Sequence, residues 1–317
     1  MSRSAQRVLF VAGALAVAGV VAAAVALSRS TSGNGSAVDT SRLTSGLGAN
    51  RTTPPPPPRG ALVLAREAGT RAVALAISQG PRPQLIATVL ASSGGGESGL
   101  PLSFRLGAGA GRTLRVRTCG PGCYRARAPA NSRPRRVQVL LPGSPVTFRI
   151  PAAPTPAGAI VRRASRVFRG LRSLVYLESL RSGPAGGIVT TWRLQAPNSL
   201  TYRIHGGAAA VVIGRTRWDR DEPNGPWRRS AQLPALRVPQ PTWGDVTRDA
   251  NLIGAARVDG RAVWVVTFVN PTTPAWFTAW IDRRSYRTLR LRMTAAAHFM
   301  FHRYESFDRP LRIRPPT

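Results

Sequence analysis

Near the C-terminus, His298-Phe-Met-Phe-His302 places two imidazoles and a thioether within five residues. In an extended strand, side chains alternate between faces. His298, Met300 and His302 therefore share one face, with Tyr304 beyond them, and Phe299 and Phe301 take the other. Imidazole combined with thioether suits copper, and Met293 on the preceding strand could approach the set. Register decides whether it does. A turn with an even number of residues joins the His/Met face to the apolar face of Leu289, Leu291 and Met293, whereas an odd number turns it toward the arginine side. The first case gives a buried cluster and the second an ordinary exposed strand face. The expectation is a structural cluster with no cofactor, and copper is the alternative.

Other chemistry is sparse. The chain has no Gly-x-Ser-x-Gly, no His-Glu-x-x-His and no phosphate loop, so no enzyme is expected. Asp219, Asp221 and Glu222 form an acidic cluster, but Arg215, Arg217, Arg220, Arg228 and Arg229 surround it, which points to local ion pairing. His205 precedes Gly206-Gly207 at a strand end and reads as structural. The two cysteines, Cys119 and Cys123, flank Gly-Pro-Gly, a turn sequence that brings their Cα atoms within disulfide range. No other cysteine or nearby histidine completes a thiolate metal site, so a disulfide is expected.

The chain has 317 residues and a formal net charge of +32, and every basic residue in it other than histidine is arginine. Such a charge suits a polyanionic partner. The arginines are nevertheless spread along both halves without a basic block or a nucleic-acid-binding motif, so nucleic acid is not an expected partner. Abundant Ala, Gly and Pro also fit a compositional bias of the coding sequence.

Residues 8–27 form an unbroken apolar run behind Arg3 and Arg7, long enough to span a bilayer and longer than a signal-peptide core. This predicts a short cytoplasmic head (1–7), a single-pass anchor (8–27, or an uncleaved signal) and an extracytoplasmic body. Residues 28–59 are rich in Ser, Thr and Gly and end in the prolines 54–58, which predicts a flexible linker closing in a stiff polyproline spacer. Short apolar segments separated by Gly, Ser and Pro over 60–151 predict a β-sandwich, and 152–157 reads as a second linker.

In 158–171, Ile160, Val161, Ala164, Val167, Phe168 and Leu171 fall on one helical face, largely clear of Arg162, Arg163, Arg166 and Arg169. Strand-like segments follow from 174 onward, and short turns between them predict an antiparallel meander. All seven tryptophans (Trp192, Trp218, Trp227, Trp243, Trp264, Trp276 and Trp280) lie in this half, so it holds the larger aromatic core or an aromatic-lined groove. Residues 216–250 read as a structured flap.

One helix followed by an up-and-down sheet carries several weak motifs: Ala196-Pro197-Asn198 before Tyr202, Ile213-Gly214 before Trp218, Val258-Asp259-Gly260 before a strand, and Trp280-Ile281-Asp282 before a turn. On these, residues 158–310 resemble the LolA/RseB-type lipoprotein-carrier half-barrel. The preceding module more loosely resembles the immunoglobulin-like domains of exported YtkA/FixH-type proteins. The resemblance implies a mainly β chain, with an immunoglobulin-like β-sandwich and an antiparallel half-barrel sheet packed on a helix (158–317), to which the apolar run at 8–27 adds a membrane helix that soluble carriers lack. It implies an acyl chain or hydrophobic peptide held between sheet and helix, or a sensor of mislocalised lipoproteins. Trp192, Trp264, Trp276 and Trp280, with Tyr202 nearby, are then the candidate groove lining. The expectation is a membrane-tethered extracytoplasmic protein binding a lipid-like or hydrophobic ligand. The alternatives are copper binding through His298, Met300, His302 and Met293, and a partner-binding module with no small ligand.

Overall fold

A computed structural model describes residues 53–317 except 108–110, 144, 271 and 273. The expected cytoplasmic head, the anchor and most of the first linker lie outside the described residues. Among those described, no helix is long and apolar enough to cross a membrane.

In chain order the first unit comprises β1 (Leu62–Ala68), β2 (Arg71–Ile77), β3 (Gln84–Leu90), β4 (Ser103–Leu106), β5 (Thr113–Arg115), β6 (Arg117–Gly120), β7 (Cys123–Arg127), β8 (Arg136–Leu140) and β9 (Val146–Arg149). They form two antiparallel sheets, β1-β2-β3-β7-β6 and β5-β4-β8-β9. Val73, Leu75, Leu85 and Val89 from one sheet meet Phe104, Val137, Val139 and Phe148 from the other, which makes the expected sandwich. The single strand read over 113–118 is instead two strands. The chain breaks at Val116, and β5 and β6 join different sheets.

β2 is apolar on both faces, the pattern of a strand covered twice. Its outer face is alanine (Ala72, Ala74, Ala76), which with Ala61, Val63 and Ile86 packs against Val269, Trp276 and Phe299 of the second unit. Small side chains let the two sheets approach closely, so the sandwich is docked on the second unit through an apolar seam. The proline run ends in the same place. Pro54 is buried, Arg248 donates to the Pro57 carbonyl at 3.0 Å, and the Gly60 amide donates to Asp249 Oδ1 at 2.7 Å. Prolines lack an N–H but keep a carbonyl acceptor, and Arg248 satisfies one. The described end of the expected spacer is thus packed on the body.

The second unit comprises β10 (Thr155–Pro156), α1 (Gly158–Arg169), β11 (Ser173–Arg181), β12 (Ile188–Gln195), β13 (Ser199–Ile204), β14 (Ala209–Ile213), β15 (Thr216–Arg220), β16 (Arg228–Ala231), β17 (Arg248–Val258), β18 (Arg261–Asn270), β19 (Ala275–Asp282), β20 (Thr288–Ala295) and β21 (His298–Phe307). All the strands belong to one twelve-stranded sheet, ordered β10-β17-β18-β19-β20-β21-β11-β12-β13-β14-β15-β16. It consists of two meanders joined where β21 pairs with β11. The first strand after the helix, β11, therefore lies mid-sheet, which turn lengths alone do not reveal. The expected flap is partly sheet: β15 and β16 extend it, and β17, unforeseen as a strand, begins before the flap ends. Only 232–247 remains as a strap.

On α1, Val161, Ala164 and Phe168 are buried, and Leu171 just beyond it joins the same core. Arg162, Arg163 and Arg166 are exposed. The helix ends at Gly170, whose amide bonds back to the Arg166 and Val167 carbonyls. Its apolar stripe faces the sheet, as the spacing requires.

Candidate functional site

The face of the large sheet beneath α1 is built from alternate residues of paired strands. A two-residue turn, Ala296-Ala297, joins β20 to β21 and sets Met293 opposite Met300 and Leu291 opposite His302. The even-turn register holds, so the His/Met face lies on the apolar side. β11 then places Glu178 opposite His302 and Tyr176 opposite Tyr304, while β12 and β13 continue that row with Trp192 and Tyr202.

Aromatic rings cross this face in a chain. Phe268 meets Trp243 at 5.8 Å between centroids and Trp243 meets Phe168 at 5.7 Å. Phe168 meets Tyr304 at 5.7 Å and Tyr304 meets Tyr176 at 5.2 Å. Tyr176 stacks on Trp192 at 6.0 Å, and Trp192 meets Tyr202 at 4.8 Å. Three of these contacts are edge-on, one is stacked and two are tilted, all at ring separations that add to simple area burial. Beyond Tyr202, Arg217 donates to its hydroxyl at 3.3 Å and to Asp219 at 2.6 Å, closing the row on β15.

A polar network lies within this apolar face. His302, 1% exposed, holds Glu178 Oε2 at 2.7 Å through Nε2 and faces the Tyr304 hydroxyl at 3.0 Å through Nδ1. A carboxylate only accepts, so Nε2–H is the donor to Glu178. Burial pushes the Tyr304 phenol far above its usual range, against a hydrogen bond from Thr242, and burial likewise raises Tyr176, reinforced by Glu178. Both phenols therefore stay protonated. His298 is lowered by burial, with Glu178 opposing.

Thr242 and Trp243 belong to the strap. Trp243, 1% exposed, donates Nε1–H to Ser165 Oγ of α1 at 2.8 Å, and its carbonyl accepts from Asn270 at 3.3 Å. Leu236 and Val238 are tied by their amides to the Gly214 and Pro197 carbonyls. Arg169 bonds Gln240 and Asp245. Strap and helix together roof the aromatic face, and the groove is closed by its own side chains.

The candidate lining residues separate. Trp192, Tyr202 and Trp264 lie on the roofed face, with Trp264 half-buried against Tyr286 at 5.1 Å. Trp276 and Trp280 lie on the opposite face. Trp276 is buried in the seam under the sandwich, and Trp280 meets Phe301 at 6.3 Å. β19 carries both at even positions, and register puts its odd residues, Phe277, Ala279 and Ile281, on the groove side. Tryptophan content could not separate two apolar faces of one strand.

The copper reading loses an imidazole, because both ring nitrogens of His302 are already bonded within the protein. Among the described residues, no group of three or more His, Cys, Asp or Glu side chains could hold a metal ion. Cys119 and Cys123 form the expected disulfide. Asp219 and Asp221 pair with Arg217 and Arg228, as their setting suggested. His205 meets Thr191 Oγ1 at 2.9 Å.

Glu178, Tyr176 and Ser165 were not singled out from the sequence. The signal for Glu178 was present: it is the one acid in Leu174-Val-Tyr-Leu-Glu-Ser-Leu180, on the same parity as Leu174, Tyr176 and Leu180. A charge at an apolar position of a strand calls for a buried partner.

No protein-family model matches the chain, and no curated protein matches it in sequence. Solved structures similar to it include LprF from Mycobacterium bovis, at 13% identity and a TM-score of 0.38, covering 52% of this chain and 99% of that one. The lipoprotein LppX from Mycobacterium tuberculosis gives 15% identity and a TM-score of 0.33 over 49% of this chain and 97% of that one. A LolA-superfamily protein from Nitrosomonas europaea gives 12% identity and a TM-score of 0.25 over 51% and 96%. Each of these likenesses is weak and covers about half of this chain.

Proposed function

We propose that this chain is a membrane-tethered, extracytoplasmic binding protein, not an enzyme, whose half-barrel takes a lipid-like or hydrophobic ligand between the sheet and its roof of α1 and strap. The observation that carries this reading is the row of rings Tyr304, Tyr176, Trp192 and Tyr202 on the sheet, beneath a roof whose own rings, Phe168 and Trp243, pack onto it. The indole N–H of Trp192 is buried in that face without a hydrogen-bond partner. An unpaired buried donor is costly, and a carbonyl or ester oxygen on a ligand would relieve it. The disulfide supports an oxidising compartment, and the apolar run at 8–27 supports the tether. The roof is closed in this structure, so entry requires the strap to lift.

The test is photo-crosslinking of the full chain with a diazirine-bearing palmitate, mapped by peptide mass spectrometry. Label on the strands that carry Tyr176, Trp192 and Tyr202, competed by unlabelled palmitate, is the expected result. Label confined to residues 8–27, or none, would remove the reading.

A further inference from the structure

The outer face of the β5-β4-β8-β9 sheet is the side of the sandwich away from its core. Its outward positions are Thr113 and Arg115 on β5, Ser103 and Arg105 on β4, Arg136, Gln138 and Leu140 on β8, and Thr147 and Arg149 on β9. Each strand contributes one arginine and none contributes an acid. Register puts Arg136 directly opposite Arg149, and Arg105 opposite Gln138. Like charges facing each other across a ladder are unfavourable unless something neutralises them.

Nine arginines elsewhere among the described residues are paired with an Asp or Glu, and this face offers its own arginines no such partner. The only acids of the sandwich, Glu67 and Glu97, are committed to Arg181 and Arg71. In the half-barrel, Arg217, Arg248, Arg287, Arg290 and Arg303 each face an Asp or Glu. None of Arg105, Arg115, Arg136 and Arg149 has an ion pair among the described residues. Arg115 and Arg149 are exposed, and the other two are half-exposed.

We propose that this sheet face docks on an anionic lipid surface. The four guanidiniums spread across adjacent strands about 4.8 Å apart, a two-dimensional array and not a single line. Such an array matches phosphate headgroups side by side, and guanidinium forks bind phosphate oxygens in bidentate fashion. Ser103, Thr113, Gln138 and Thr147 supply further donors between them. The outward positions hold no aromatic side chain on which a nucleic-acid base could stack, and Leu140 is their only large apolar residue, which fits adsorption without insertion.

The test is flotation of the full chain with vesicles of phosphatidylcholine alone or with about 30% phosphatidylglycerol, at low and high salt. The run at 8–27 acts on both lipids, so the ratio of partition coefficients isolates the charge effect. Each basic residue near such a surface is worth about fivefold. The Arg115→Gln/Arg149→Gln variant should therefore lower the ratio about 25-fold, and salt should lower that of the unmodified chain. The Arg203→Gln/Arg237→Gln variant, which removes two exposed arginines of the half-barrel, should leave it near the unmodified value. Equal losses in both variants, or no preference for the anionic vesicles, would overturn the proposal. So would tight binding of soluble polyphosphate with no binding to vesicles. Thermal unfolding of both variants checks that the fold is intact.

Discussion

Ser165→Ala tests whether the strap is a lid or simply core. The substitution removes one oxygen from α1 and leaves Trp243 Nε1, now bonded to Ser165 Oγ at 2.8 Å, buried without a partner. An orphaned buried donor costs about 1–3 kcal/mol, and replacing Ser by Ala inside a helix returns about 0.5 kcal/mol. The closed roof should lose roughly 0.5–2.5 kcal/mol. If ligand entry requires the roof to open, that loss is subtracted from the opening cost. Apparent affinity should rise about twofold to sixtyfold, since each 1.4 kcal/mol is tenfold. The assay is the concentration of diazirine palmitate giving half-maximal label on β11–β13 peptides in the full chain, beside the thermal unfolding midpoint. A midpoint lowered by several degrees with unchanged or weaker labelling would refute the lid argument. The contact would then belong to the core.

Further tests address other parts of the molecule. Trp276→Ala should cost about 3–5 kcal/mol, because Trp276 fills the seam between sandwich and half-barrel, and new protease cleavage between the two units should accompany the lowered midpoint. Reducing Cys119–Cys123, which close a loop of sequence separation 4, should cost about 2 kcal/mol of stability in denaturant titration, the modest value expected for a short loop. His298 is held below its ordinary value of 6.5 by burial, so the unfolded chain takes up a proton that the folded chain refuses. Stability should then fall as pH drops through 6.5, and His298→Leu should flatten that part of the profile of midpoint against pH.

Much of the architecture was legible from local pattern. Period-two alternation placed His298, Met300 and His302 on one face of a strand, and the parity argument tied burial of that face to an even turn without choosing between even and odd; the structure supplies the even turn. The helix was readable because Val161, Ala164 and Phe168 recur at helical spacing between arginines. β17 was missed because Asp249, Asn251 and Gly254 interrupt its apolar run; two of them serve the seam, Asp249 holding the Gly60 amide and Asn251 the Ala61 carbonyl. The polyproline stretch read as a free spacer because proline carries no visible signal of packing.

The sequence by itself determined the local facts: which segments extend, which face of each carries apolar groups, where the chain turns, and that two cysteines four positions apart would meet. Backbone sterics and side-chain alternation act over a few residues, so those are written in order along the chain. Only the tertiary structure decided which apolar face meets which partner. β19 offers two hydrophobic faces. The docked sandwich claims the one with Trp276, while the roofed groove takes the one with Phe277, and no local rule distinguishes them. The same holds for Glu178 and His302, 124 residues apart, which the pairing of β11 with β21 brings to 2.7 Å. Burial in that shared face turns two ordinary polar residues into a network, because a charge removed from water must find its partner inside the protein.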